Sequence, residues 1–237
     1  MGKSTLKKVD ERKVSCVICA YNEADRIGVI LEVLKNHPLI AEIIVVDDGS
    51  TDATKEAVKR YDFARLITLP VNTGKSNALA VGIAAARYGI IALLDADLIG
   101  LKKADVTALI EPVISDEADI SISLRKNSLP VYKLLGLDFV SGERVFRKSF
   151  IESHLETLRT LPGFSVEVFI NRLIIEQELR VKIVRWKSVV NPRKSFKYGL
   201  MKGAKDDASM ISDILKVVSA SDIILQNYRI LSLTVDR

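Results

Sequence analysis

From Val14 to Asp97 the chain alternates strand-length apolar runs with helical patterns, and the apolar runs end in polar, often acidic, residues. The apolar runs are Val14–Ala20, Glu42–Val46, Arg65–Leu69 and Gly89–Leu94. Helical patterns lie between them at Ala24–Asn36, stopped by Pro38, near Asp52 to Tyr61, and up to Arg87 after the loop Pro70 to Lys75. Such alternation predicts βαβ units and an α/β fold, Rossmann-like, with a mostly parallel sheet flanked by helices. Right-handed crossovers then set every loop that follows a strand along one edge. Ligands of open α/β sheets bind at that carboxyl edge. Asn22-Glu23, Asp47-Asp48 and Asp95-Ala96-Asp97 all fall there.

The second half is less regular. Helices are expected at Lys103–Ser115, Lys148–Thr160 and Ser165–Glu178, with strands at Asp119–Leu124 and Val181–Trp186. A loop containing Pro130 leads to Ser141-Gly142-Glu143-Arg144, and a basic segment, Asn191 to Lys205, precedes an amphipathic helical tail. This divides the chain into a basic N-terminal tail (1–13), one domain (14–190) and a basic helical C-terminal extension (191–237). A length of 237 residues with 48% hydrophobic side chains suits one such domain.

A formal charge of +5 and a pI near 9.1 favour an anionic partner, such as a nucleotide or a lipid headgroup. Nucleic acid is not expected, because the basic residues lack interleaved aromatics and the usual motifs. Met1 to Lys13 is polar and basic, unlike a signal peptide. The most apolar long stretch, Ala78 to Leu94, contains Arg87 and Tyr88 and divides into a helix and a strand, so no transmembrane helix is expected. The expectation is a cytoplasmic protein, soluble or peripheral at the inner membrane face. Cys16 and Cys19 imitate a C-x-x-C motif, but residues three apart on a strand face opposite ways, so both read as core cysteines in a reducing setting.

Asp95 and Asp97 share one face of a strand end, so both carboxylates can approach one Mg²⁺ or Mn²⁺ ion. A turn or helix cap is the alternative. Asp47-Asp48-Gly49-Ser50-Thr51-Asp52 offers two acids that need donors, which a nucleoside supplies, while Ser50 or Thr51 caps the next helix. Asn72-Thr73-Gly74-Lys75-Ser76 resembles the end of a P-loop, but Leu69 stands where that loop needs glycine. Lys75 remains able to reach a base or a phosphate. Glu167, opening an apolar helix, fits a general base or a capping-box acid equally. Arg193, Lys194, Lys197, Lys202 and Lys205 could face a diphosphate, a membrane surface or only solvent. His37 and His154 receive no role.

Four strings together resemble glycosyltransferase family 2, with its GT-A nucleotide-sugar fold: Cys19-Ala20-Tyr21-Asn22-Glu23, Val45 to Asp52, Asn72-Thr73-Gly74-Lys75 and Leu94-Asp95-Ala96-Asp97-Leu98. The resemblance covers roughly residues 14 to 100, the nucleotide-binding half. Ser141-Gly142-Glu143-Arg144 and the Glu167 helix resemble the family's acceptor-side elements in residues 101–190. It implies that Ala20, Tyr21 and Glu23 line the nucleoside pocket. Asp48 then binds the base edge with Asp47 supporting it, and Lys75 meets the base or the diphosphate. Ala96 lies between Asp95, which meets the ribose or the metal, and Asp97, which meets the metal. Glu167 becomes the base of an inverting transfer. Where some relatives place a histidine ligand after the last core strand, this chain has Asn191.

The activity so implied is metal-dependent transfer from a nucleotide sugar, UDP before GDP, to an acceptor hydroxyl. The acceptor is a small molecule, a glycan or a lipid phosphate; a homodimer and a membrane contact through the basic C-terminal segment are compatible. Sugar nucleotidyl transfer and non-catalytic nucleotide-sugar binding are the alternatives. The first is disfavoured because Tyr21-Asn22-Glu23-Ala24-Asp25 is no glycine- and arginine-rich loop.

Overall fold

The computed structural model describes residues 12–128, 141–162, 165–191 and 220–235, with side chains from 225 onward in the last segment. Seven strands form one sheet: β1 (Val14–Ala20), β2 (Ile40–Asp47), β3 (Ala64–Thr68), β4 (Ile90–Asp95), β5 (Ile120–Leu124), β6 (Arg144–Arg147) and β7 (Val181–Arg185). Their order is β3-β2-β1-β4-β6-β5-β7. All neighbours are parallel except β6, which runs antiparallel between β4 and β5. β6 was not expected from the sequence. Its four residues, Arg-Val-Phe-Arg, are too few to show a period, and only their place between two longer strands makes them a strand.

Helices α1 (Ile27–Leu34), α2 (Thr54–Lys59), α3 (Lys75–Ala85), α4 (Lys103–Ile114), α5 (Leu155–Thr160), α6 (Ser165–Glu176) and α7 (Ala220–Ser232) complete the described fold. α1 starts three residues later than its pattern suggests. It buries Ile27, Ile30, Leu31 and Leu34, one face at helical spacing. The expected helix over 148–160 is two short 3₁₀ turns, Lys148–Phe150 and Glu152–His154, followed by α5.

Successive residues of the central strands feed two cores. Val17, Val46, Ile91 and Phe146 face a layer built on α3, α5, α6 and Ile230 of α7. Cys16, Ile18, Val45, Leu94 and Val145 face a layer built on α1 and α4. Cys16 is buried in the second core and Cys19 packs against the first, as alternation along a strand requires. Both thiols are raised by burial above the ordinary cysteine range. α3 lies close on the sheet because Gly82 has no Cβ to strike Val17.

The C-terminal extension is described only at 220–235; Arg193, Lys194, Lys197, Lys202 and Lys205 lie outside the described residues. There α7 packs against α6, and Val181 bonds to Leu233 O and receives a bond from Val235 N, both at 2.9 Å. No helix among the described residues is long and apolar enough to cross a membrane.

Candidate active site

Register alone brings the acid-bearing loops together. Ala20 pairs with Asp47 across β1 and β2, and Cys19 pairs with Asp95 across β1 and β4. β5 runs in the direction of β4, because both are antiparallel to β6, so Arg125 emerges at the same rim. Asn191 arrives there too, since Ile99 and Val190 exchange backbone bonds of 2.8 and 3.0 Å. Asn127 fixes Asn191 further, donating to its carbonyl at 2.6 Å and accepting from its N–H at 3.2 Å.

On the nucleoside side, the chain leaves β1 through Asn22 in a left-handed conformation (φ 56°). Its Oδ1 accepts bonds from Thr51 N at 2.9 Å and Asp52 N at 3.3 Å, joining the first two loops. Ser50 also accepts a bond from Asn22 N at 3.0 Å. Ser50 and Thr51 therefore join these loops rather than capping α2; its N-cap is Ala53, and Asp52, one residue earlier, accepts from Thr54 N at 2.9 Å. Ala20 is buried and Tyr21 is 41% exposed. Glu23, expected to line the pocket, is nearly buried and pairs with Arg26 at 2.7 Å.

Asp47 and Asp48 are both buried. Asp47 Oδ1 accepts from Ser50 N at 3.1 Å. Asp48, expected at a base edge, accepts from Thr73 N and Oγ1 at 2.9 Å each and from Gly74 N at 2.8 Å. It holds the loop that opens α3. Gly49, at φ +67°, is required in the intervening turn, since a Cβ there would stand 2.4 Å from the Val71 carbonyl carbon.

Lys75, the first residue of α3, lies between two carboxylates. Its Nζ is 3.0 Å from Asp95 Oδ1 and 2.8 Å from Glu167 Oε1. Arg125 continues the line, 3.7 Å from Asp95 Oδ2 and 3.1 Å from Glu143 Oε1. Glu143 Oε2 accepts bonds of 2.7 Å from the Ser123 and Ser141 hydroxyls. Glu167, Lys75, Asp95, Arg125 and Glu143 thus form a line of interleaved acids and cations across the rim, with the Glu143 carboxyl also interacting with Asp95. Burial alone would lower the Lys75 pKa, but Asp95 and Glu167 raise it above the ordinary lysine value. Burial would raise Asp95, but Lys75 and Arg125 hold it below the ordinary range. Glu143 is raised, chiefly by burial, against the pull of Arg125.

Glu167 is 4% exposed at the start of α6. Lys75 takes its Oε1; its Oε2 is buried and has no hydrogen-bond partner among the described residues. A buried oxygen left unbonded is costly unless a ligand completes it.

The residues expected on the acceptor side are enclosed by the protein. Ser141, Glu143 and Arg144, expected on the acceptor side, are each 0% exposed. Ser141 and Glu143 are bonded to each other, and Arg144 bonds Ser141 O at 2.9 Å and Asn171 Oδ1 at 2.7 Å. They are internal supports of the site. Gly142 is the member of that string that reaches Lys75 and Asp95. Asp95, expected to meet the ribose or a metal, has its oxygens in contact with Lys75, Arg125 and, at 3.3 Å, Asn191 Nδ2. Asn191, at the place of the family's histidine, donates to Asp95 here.

Among the described residues, no three His, Cys, Asp or Glu side chains gather to hold a metal. The half-exposed Asp97, in the turn after β4 beside the buried Ala96, supplies a carboxylate at the rim. That donor set fits Mg²⁺ or Mn²⁺ held by one carboxylate, water and substrate phosphates, the usual habit of these ions.

Arg125, Ser123, Asn127 and Asn171 were missed in the sequence. Arg125 carries a usable signal, since it directly follows a strand of the parallel set. The others belong to no motif.

A two-layered α/β sheet with acids, a lysine and a buried glutamate at its carboxyl rim defines a nucleotide-binding class of fold. Residues 15–163 match the model of glycosyl transferase family 2, and the chain belongs to that family. It is 31% identical over 134 residues to dodecaprenyl-phosphate galacturonate synthase of Rhizobium johnstonii, covering 53% of this chain and 39% of that protein. It is 33% identical over 149 residues to dolichyl-phosphate beta-glucosyltransferase ALG5C of Trichomonas vaginalis, covering 52% and 44%. The matched segments span less than half the length of these relatives. Glucosyl-3-phosphoglycerate synthase of Mycobacterium tuberculosis, crystallised with Mn²⁺, UDP-glucose and phosphoglyceric acid, superposes with a TM-score of 0.69 at 23% identity, over 89% of this chain and 81% of that one. That likeness establishes the shared GT-A fold.

Proposed function

We propose that the protein transfers a sugar from a nucleoside diphosphate donor to an acceptor hydroxyl, with inversion at the anomeric carbon. The observation that carries this reading is the unbonded Oε2 of Glu167, buried beside an Oε1 that Lys75 holds at 2.8 Å. An acceptor O–H directed at Oε2 would satisfy that oxygen and give up its proton there. The acceptor oxygen then forms the new bond to the anomeric carbon, while the bond to the diphosphate breaks on the opposite face. The nucleoside lies over the loops at Ala20–Glu23 and Asp47–Ser50, where Tyr21 offers an exposed ring. Lys75 adds positive charge beside the reacting centre. A Mg²⁺ or Mn²⁺ ion at Asp97 supplies counter-charge for the departing nucleoside diphosphate when bound. UDP is the favoured nucleotide and GDP the next; the Mycobacterium structure with Mn²⁺ and UDP-glucose supports this choice.

The names of the relatives favour a second reading, in which the acceptor is a polyprenyl phosphate. Its phosphate oxygen is already ionised and needs no base. A panel of UDP- and GDP-sugars with Mn²⁺, read by nucleoside diphosphate release in the presence of candidate hydroxyl and polyprenyl-phosphate acceptors, tests both. Glu167→Gln should lose about 10²–10⁴-fold in kcat with a hydroxyl acceptor and little with a phosphate acceptor. Asp97→Ala should abolish turnover with either. Full activity of the wild type in EDTA refutes the metal. No turnover or binding of any sugar nucleotide refutes the function.

A further inference from the structure

We propose that Arg125 and Glu143 are positioning residues of this site: Glu143 anchors Arg125, Arg125 fixes the Asp95 carboxylate, and Asp95 fixes Lys75 against Glu167. The inference deepens the proposed function and rests on it for its kinetic consequences. None of the strings that resemble the family assigns Arg125 a role, and the string that contains Glu143 suggested an acceptor contact instead.

Glu143 is 0% exposed, with both oxygens used inside the protein: Oε2 by two serine hydroxyls at 2.7 Å and Oε1 by Arg125 at 3.1 Å. A buried ion pair is no stability device in itself, since an apolar pair of similar volume often serves as well. The guanidinium, however, also reaches toward a second carboxylate, Asp95, at 3.7 Å. Arginine suits this place because its rigid fork of donors keeps a fixed direction where a lysine ammonium would not. Asp95 has Lys75 on one oxygen and Arg125 with Asn191 on the other. Its carboxylate is thereby held at both ends. Without Arg125 it keeps Lys75 at 3.0 Å and the Asn191 amide at 3.3 Å but loses the only cation on its Oδ2 side among the described contacts, the charge that balances the pull of Lys75 on Oδ1, and it is free to turn. Lys75 then follows Asp95, and the 2.8 Å contact that sets Glu167 is lost. The nucleoside loops at Ala20–Glu23 and Asp47–Ser50 make none of these contacts, so donor docking is spared.

The test compares Arg125→Met, Arg125→Lys, Glu143→Gln and the double variant R125M/E143Q. Their kcat and donor KM are measured with the sugar nucleotide the wild type uses, UDP affinity with Mn²⁺ by calorimetry, and Tm by thermal unfolding. R125M should lose about 10–100-fold in kcat, the range typical of residues that orient a reacting group. Donor KM and UDP affinity should stay within about 3-fold. R125K should recover part of kcat, and the double variant should be no worse than R125M, because the two residues act in series. An R125M kcat within about 2-fold of wild type overturns the proposal. So does a loss confined to KM and UDP affinity, or a loss that follows Tm with R125K no better than R125M. A crystal structure of R125M gives a readout that needs no substrate. Asp95 should turn from its wild-type position and Lys75 should leave Glu167. If both stay in place, the proposal fails even where turnover is normal. If the wild type turns over no sugar nucleotide, the functional reading falls while the structural readout still decides this one.

Discussion

Replacing Gly142 with alanine is the sharpest test of how the rim is set. A Cβ at this position stands 2.6 Å from Lys75 Nζ, 2.9 Å from Asp95 Oδ1 and 3.3 Å from Asp95 Oδ2. Ordinary contact begins near 3.4 Å, so the ammonium must retreat by about 0.8 Å. The backbone gives no relief and no separate penalty, because Gly142 is not among the glycines with positive φ. The displaced ammonium cannot keep both its 3.0 Å contact to Asp95 and its 2.8 Å contact to Glu167. Misplacement by about 1 Å in a reacting site can cost about 10²-fold. The expected outcome is a kcat lower by about 10–100-fold, or about 1.4–2.7 kcal/mol in the barrier. The flexible end of a lysine yields more cheaply than a packed core, so the stability loss should stay below about 1 kcal/mol, or about 2–4 °C in Tm for a chain of this size. Nucleoside diphosphate release gives kcat, and differential scanning calorimetry gives Tm. Lys75→Ala provides the control: on that background Gly142→Ala should cost much less in kcat than in the wild type, because the tightest encounter is gone and only the 2.9 Å approach to Asp95 remains. A Gly142→Ala enzyme with wild-type kcat refutes the reasoning, as does an equal loss on both backgrounds.

Gly82→Ala places a Cβ 2.4 Å from Val17 Cγ1 and 3.1 Å from Val46 Cγ2, under the middle of the sheet. Overpacking should outweigh the gain in helix propensity and leave a net loss of about 1–2 kcal/mol in urea unfolding; a stabilised variant contradicts the close packing of α3. His37 is buried, with Nε2 near Lys103 O (3.2 Å) and Thr107 Oγ1 (3.1 Å), and Nδ1 accepting from Leu39 N at 3.3 Å. Burial lowers its pKa, aided by the Lys103 charge and opposed by the bond to its carbonyl. The unfolded chain therefore binds the proton first, and the contribution of His37 is complete above the ordinary value of about 6.5 and fades as pH falls below it. The stability gap between wild type and His37→Gln should shrink from pH 7.5 to pH 5; a gap that widens on acidification refutes the neutral, buried imidazole.

The parallel part of the fold was legible because each element repeats one rule. β1 and β4 are apolar on both faces, as strands covered on two sides must be, and their lengths rule out helices. The same rule is silent about β6, whose four residues gain their strand character from β4 and β5 on either side. It is equally silent about Lys148 to His154, where helical composition yields only 3₁₀ turns. Asp48 was legible as a buried acid that needs donors, but not which donors. The chain itself supplies them, from Thr73 and Gly74, because the turn at Gly49 brings Val71 and Asn72 against it.

The rim shows why a search for acids finds only half of such a site. Carboxylates at strand ends or among apolar neighbours stand out because they are costly without partners, and so Asp48, Asp95 and, at the start of α6, Glu167 were readable. Their partners are cations, and lysine or arginine at a loop is ordinary in a chain with 35 of them. Arg125 becomes visible only when the parallel edge is treated as a place, with every residue that follows a strand counted as a candidate whatever its type. Once it is counted, the meaning of Asp95 changes. A carboxylate contacted by Lys75, Arg125 and Asn191 has its charge compensated by the protein, so a cation gains less from approaching it. In the proposed function the metal duty therefore falls to Asp97, while Asp95 holds the ammonium that contacts Glu167.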